Sequence, residues 1–110
     1  MNVLTTVPVT VSPEAAAHVV RLGMQAEFER MVEHAQQTIP GLLRLDVILA
    51  PPYDTGDEDT ILLEALRDPV TLRLNDPADD AWGKWRITTF PPDVYRHFVL
   101  MMSYGSNNGG

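Results

Sequence analysis

The sequence predicts an α+β fold: a small antiparallel sheet, as a hairpin or meander, packed against a long N-terminal helix, with a short Trp-bearing helix after it. Three observations predict it. Leu43, Leu45, Val47 and Leu49 alternate with Arg44, Asp46, Ile48 and Ala50, the period of a strand with one core face. Val20, Met24, Phe28, Met31, Ala35 and Ile39 step by three and four, which makes one apolar helical stripe. Asn75-Asp76-Pro77 then opens a second helical pattern, with Ala78, Ala81, Trp82, Trp85 and Thr89 on one side.

Along the chain, Val3 to Val11 alternates and reads as a strand. Pro8 places it at a sheet edge, where a missing N–H does no harm. Ser12-Pro13-Glu14 is a helix start: Ser accepts from orphan N–H groups, Pro fits the first turn, and Glu favours the positive helix end. The helix is expected from Pro13 to about Thr38, with Gly23 as a kink or a break into two. Pro40-Gly41 ends it. Pro51 to Asp59 is a charged loop, Thr60 to Leu66 the returning strand, and Val70 to Leu74 a further short strand after the Asp68-Pro69 turn. Phe90-Pro91-Pro92 stops the second helix, and Asp93 to His97 forms one more helical turn. Phe98 to Tyr104 fits either a last strand or a continuing helix.

The 110 residues make one domain, expected over residues 1–105, with 106–110 as a disordered polar tail. Cysteine is absent, which removes disulfides, thiolate metal sites and a Cys nucleophile, and fits a reducing cytoplasm. Met1 to Val11 has neither the basic lead nor the apolar core of a signal peptide. The longest apolar run, Phe98 to Met102, is far short of the roughly 20 residues of a membrane span.

Charge is the sharpest feature. Asp46, Asp54, Asp57, Glu58, Asp59, Glu64, Asp68, Asp76, Asp79 and Asp80 are opposed within their segment only by Arg67 and Arg73, a local net of −8 in a chain of −7. Such a field repels polyanions and attracts basic surfaces. Part of it has a local cause, because carboxylates at Asp76 to Asp80 suit a helix start. Charged loops also keep small proteins soluble.

Other motifs carry less. Asp54-Thr55-Gly56 matches the triplet of aspartic proteases, but Asp57-Glu58-Asp59 follow it and no later apolar-Gly pattern appears. The same acidic loop lacks the spacing of an EF-hand. His18, His34 and His97 form no metal-ligand pattern, and no cofactor or metal is implied. Ser12 is a helix cap, and Ser103 and Ser106 sit in no nucleophile elbow. Trp82-Gly83-Lys84-Trp85-Arg86 is the one basic-aromatic patch. Trp82 and Trp85 read as core anchors or as anchors of a protein interface, and the neighbouring acid argues against nucleic acid.

Thr10-Val11-Ser12-Pro13-Glu14-Ala15-Ala16, Pro51-Pro52-Tyr53-Asp54-Thr55-Gly56-Asp57-Glu58 and Phe90-Pro91-Pro92-Asp93-Val94 together resemble small uncharacterised bacterial proteins of the helix-plus-hairpin kind. The resemblance implies an α+β fold and no activity, and it assigns no residue a role.

Three functions fit these residues. The first is a non-enzymatic module whose acidic face (Asp54, Asp57, Glu58, Asp59, Asp76, Asp79 and Asp80) binds a basic protein, as an antitoxin, immunity or adaptor protein does. The second is a small carboxylate-dependent hydrolase or metal enzyme, which requires the acids to converge in a pocket. The third is an oligomer former that shares Phe98 to Tyr104 between subunits, as in a homodimer.

Overall fold

The computed structural model describes residues 7–51, 59–69 and 78–104. Within them the chain runs β1 (Val9–Val11), α1 (Pro13–Leu22), α2 (Gln25–Thr38), β2 (Leu42–Ala50), β3 (Thr60–Arg67), α3 (Ala78–Thr89), α4 (Pro92–Tyr95) and β4 (Phe98–Tyr104). The expected strand Val70 to Leu74, the helix start Asn75 to Pro77 and the tail lie outside the described residues.

The architecture is α+β, but the sheet is mixed rather than antiparallel. Its order is β1-β2-β3-β4. β2 and β3 form the expected antiparallel hairpin, while β1 runs parallel to β2 and β4 parallel to β3. The reason is connectivity. A helical crossover returns the chain to the end where it started, so the strands it joins run parallel. Sequence periodicity shows where strands lie and not which way they run.

The long N-terminal helix is two helices. Ser12 caps α1 as expected, its Oγ accepting from the Ala15 N–H at 3.1 Å. Gly23 ends α1 in the left-handed region, at φ 69° and ψ 31°. The N–H of Met24 donates back to Val19 O, closing the turn. Because the chain turns here, a single stripe cannot continue through it. Val20, placed on that stripe by spacing, is 59% exposed, and the core face of α1 is instead Ala15, His18 and Val19. In α2 the core positions are Met31 and Ala35.

A bulge corrects β2 in the same way. The register shifts between Leu42 and Arg44, so the extra residue, Leu43, turns outward and Leu42 turns inward. Beyond the bulge the alternation holds, with Leu45 and Val47 buried. They face Ala65 and Leu63 of β3, and Leu63 and Ile61 pair in turn with Leu100 and Phe98 of β4. One core joins this sheet face to Ala15, Val19, Met31, Ala35 and Trp82 of the helices. Thr10, Asp46, Ile48, Leu62, Glu64, Val99 and Met101 belong to the opposite face.

α3 ends where Phe90-Pro91-Pro92 was expected to stop it, and α4 supplies the extra turn. Ala81, expected on the buried side, is exposed, whereas Trp82 and Phe90 are buried. The last segment is a strand. Phe98 is fully buried beneath Phe28, their rings stacked 6.2 Å apart.

Candidate interaction surface

The sheet face turned away from the helices is ordered in rows across the strands. One row reads Thr10, Asp46, Glu64 and Met101, and the next Ile48, Leu62 and Val99. Asp46 lies directly opposite Glu64. Two carboxylates in that relation repel, and the sheet compensates at one of them. Thr10 Oγ1 donates to Asp46 Oδ1, and Arg44 Nε donates to Asp46 Oδ2 at 2.9 Å. Glu64 is half-buried between the apolar row of Ile48, Leu62 and Val99 and the row of Arg44, Leu66 and Ser103. Neither residue belonged to the expected acidic face; only strand register reveals their apposition.

Two arginines are drawn inward, while Arg21, Arg30, Arg44, Lys84 and Arg96 stay exposed. Arg67, one of the two cations inside the acidic segment, is 2% exposed. It continues the inward series Ile61, Leu63 and Ala65, and its Nε donates to Pro40 O at 2.9 Å. Its guanidinium also lies 5.7 Å from the Tyr104 ring. That inward position was readable from the strand period. Arg86 is likewise drawn in: its Nη1 donates to Tyr95 O at 2.8 Å and to Phe98 O. Burial pulls its pKa down from the ordinary arginine value, and Tyr95 opposes that shift. Lys84 on α3 pairs with Asp80 at 3.3 Å.

Of the expected acidic face, Asp59 is exposed at the entrance to β3 and Asp80 is exposed on α3. Asp79 lies in α3. Asp54, Asp57, Glu58 and Asp76 lie outside the described residues, as does the Asp54-Thr55-Gly56 triplet.

The two tryptophans have separate roles. Trp82 is 2% exposed and its indole N–H donates to Met31 O at 3.3 Å, so it anchors α3 to α2 and is not a surface aromatic. Trp85 is half-buried. It stacks on His34 with ring centroids 3.8 Å apart, and Phe90 meets it edge-on at 5.4 Å. Burial in this stack holds the His34 imidazole below the usual histidine value.

A groove of about 280 Å³ runs between β1 and α2, lined by Val9, Phe28, Glu29, Val32, Glu33 and Gln36. Gln36 closes one side of it by donating to Val7 O at 2.9 Å. Among the described residues no three His, Asp or Glu side chains gather into a metal-binding group. His18 is buried in α1, and its Nε2 has no hydrogen-bond partner. No helix of the described residues is long and apolar enough to cross a membrane. Neither a family model, a curated protein nor a solved structure matches the chain.

Proposed function

We propose that the protein is a non-catalytic interaction module that presents an acidic surface to a basic protein partner, in the manner of an antitoxin, immunity or adaptor protein. The observation that carries this reading is the concentration of acid in one segment, Asp46 to Asp80, with a net charge of −8. Arg67 Nε and Arg86 Nη1 donate to main-chain carbonyls. Asp59, Asp80 and Asp93, with Glu14, Glu29 and Glu33, stay exposed. Arg21, Arg30, Arg44, Lys84 and Arg96 are exposed as well, so the acidic excess lies in the sequence segment from Asp46 to Asp80, with its net −8. The acidic face consists of Asp54, Asp57, Glu58, Asp59, Asp76, Asp79 and Asp80, and its aromatic contribution falls to Trp85. A chain without cysteine suits a bacterial cytoplasm.

Titration of the protein with a fluorescently labelled Arg-rich peptide, over a series of salt concentrations, tests the reading. Rim ion pairs weaken as salt screens them. Binding that falls steeply with ionic strength, with no binding of an acidic peptide of equal length, supports it. Binding that ignores salt, or no binding at low salt, contradicts it.

A further inference from the structure

β4 is an edge strand, and the directions of its backbone groups follow from one hydrogen bond. Ile61 N–H donates to His97 O, in parallel register with Ile61 opposite Phe98. Along a parallel strand the backbone groups of alternate residues face alternate sides. Val99, Met101 and Ser103 therefore turn their N–H and C=O toward β3, while Phe98, Leu100, Met102 and Tyr104 turn theirs outward. Arg86 occupies the Phe98 carbonyl. Among the described residues, the N–H and C=O groups of Leu100, Met102 and Tyr104 remain as a three-residue ladder on the outer side.

Nothing in the strand guards that ladder. Edge strands are ordinarily protected by Lys, Pro, a bulge or shortness. β4 is Phe-Val-Leu-Met-Met-Ser-Tyr, seven residues without charge, Pro or Gly. The other edge is short and flanked by proline. β1 has three residues, is preceded by Pro8, and has Gln36 donating to the carbonyl of Val7 beside it.

We infer that β4 pairs antiparallel with β4 of a second copy of this chain, about a two-fold axis at Met102, joining two sheets into one of eight strands. The occupant is a copy rather than a basic partner for two reasons. The uncharged strand offers an ionic ligand nothing, and it is complementary to itself. With the axis at Met102, Leu100 faces Tyr104 of the second copy, an aliphatic–aromatic pair of the favourable kind, and Met102 faces Met102. All three positions carry outward donors and acceptors, and the register leaves the Phe98 carbonyl to Arg86. The half-buried side chains of Leu100 and Met102 border the core and gain cover from the added strand. The pairing closes on itself, whereas β1 against β4 would propagate without end. The acid does not oppose it. Glu64 lies one strand in from the edge, so two Glu64 stand about 16 Å apart, beyond the roughly 8 Å screening length at physiological salt.

The chain has no native cysteine, which makes a register-specific test clean. Met101 and Ser103 are both exposed and face each other across the axis. Met101→Cys and Ser103→Cys proteins, mixed and mildly oxidised, are expected to cross-link to each other, with far less product from either alone. Light scattering on the native protein is expected to give twice the 12.2 kDa chain mass, insensitive to added salt. Met102→Pro removes an outward donor that has no partner among the described residues, and is expected to raise the dimer dissociation constant at least about tenfold while keeping the circular dichroism of the fold. A native monomer at all concentrations overturns the inference. So does failure of the mixed cysteine proteins to cross-link, or a monomer whose Leu100 and Met102 amides resist hydrogen exchange, since another segment of the same chain would then hold the edge.

Discussion

Asp46 and Glu64 stand opposite each other on adjacent strands of the sheet face turned away from the helices, and among the described residues only Asp46 has partners, Thr10 and Arg44. Like charges directly opposed in a sheet destabilise it by roughly 0.2–1 kcal/mol. Glu64→Gln removes the opposition and keeps the shape. The expected result is a gain of that size in unfolding free energy at low salt, shrinking as salt is added. Urea titration at two ionic strengths measures it.

Arg86 fastens α3 to the segment entering β4 through the carbonyls of Tyr95 and Phe98. Hydrogen bonds from a charged donor contribute roughly 1.5–3 kcal/mol each, and the carbonyls lose their partner when it is removed. Arg86→Ala is expected to lower stability by about 2–3 kcal/mol. Arg86→Lys recovers only part of it, because one ammonium cannot reproduce the guanidinium geometry. Denaturant midpoints of the three proteins decide this.

His34 stacks face to face on Trp85, and burial lowers its pKa. The folded state therefore prefers the neutral ring. Its contribution is complete above the ordinary histidine value of about 6.5 and is lost as pH falls through the depressed folded value. The denaturation midpoint is expected to drop on acidification over that window. His34→Phe keeps the stack and is expected to lose that part of the pH dependence.

His18 is 7% exposed and its Nε2 has no partner. A buried polar atom without a hydrogen bond costs roughly 1–3 kcal/mol. His18→Leu is expected to raise stability by about 1 kcal/mol, read as a higher thermal midpoint. A lower midpoint would show that the imidazole is needed where it stands.

Much of the fold was legible because its signals are local. Ser12 capped a helix, Gly23 broke one, Phe90-Pro91-Pro92 ended one, and Thr60 to Leu66 returned as a strand. What escaped depends on pairing across the chain. The parallel β1 and β4, the bulge that turns Leu43 outward, and the choice of strand for Phe98 to Tyr104 follow from contacts between distant residues. The site was legible as charge but not as geometry. Counting acids gave the −8 segment, but it could not place Glu64 against Asp46. The core reading offered for Trp82 and Trp85 holds for Trp82, while Trp85 is only half-buried.

The central claim is that a particular acidic region, and not net charge alone, docks a basic partner. Two variants of equal charge test it most directly. One neutralises Asp54, Asp57, Glu58 and Asp59 as amides, and the other neutralises Glu14, Glu29, Glu33 and Asp93. Exposed ion pairs contribute roughly 0.2–1 kcal/mol each, so losing four from the docking face is expected to weaken Arg-rich peptide binding about tenfold. The second variant is expected to bind nearly as the native protein does. Equal loss in both, or no loss in the first, would contradict the account.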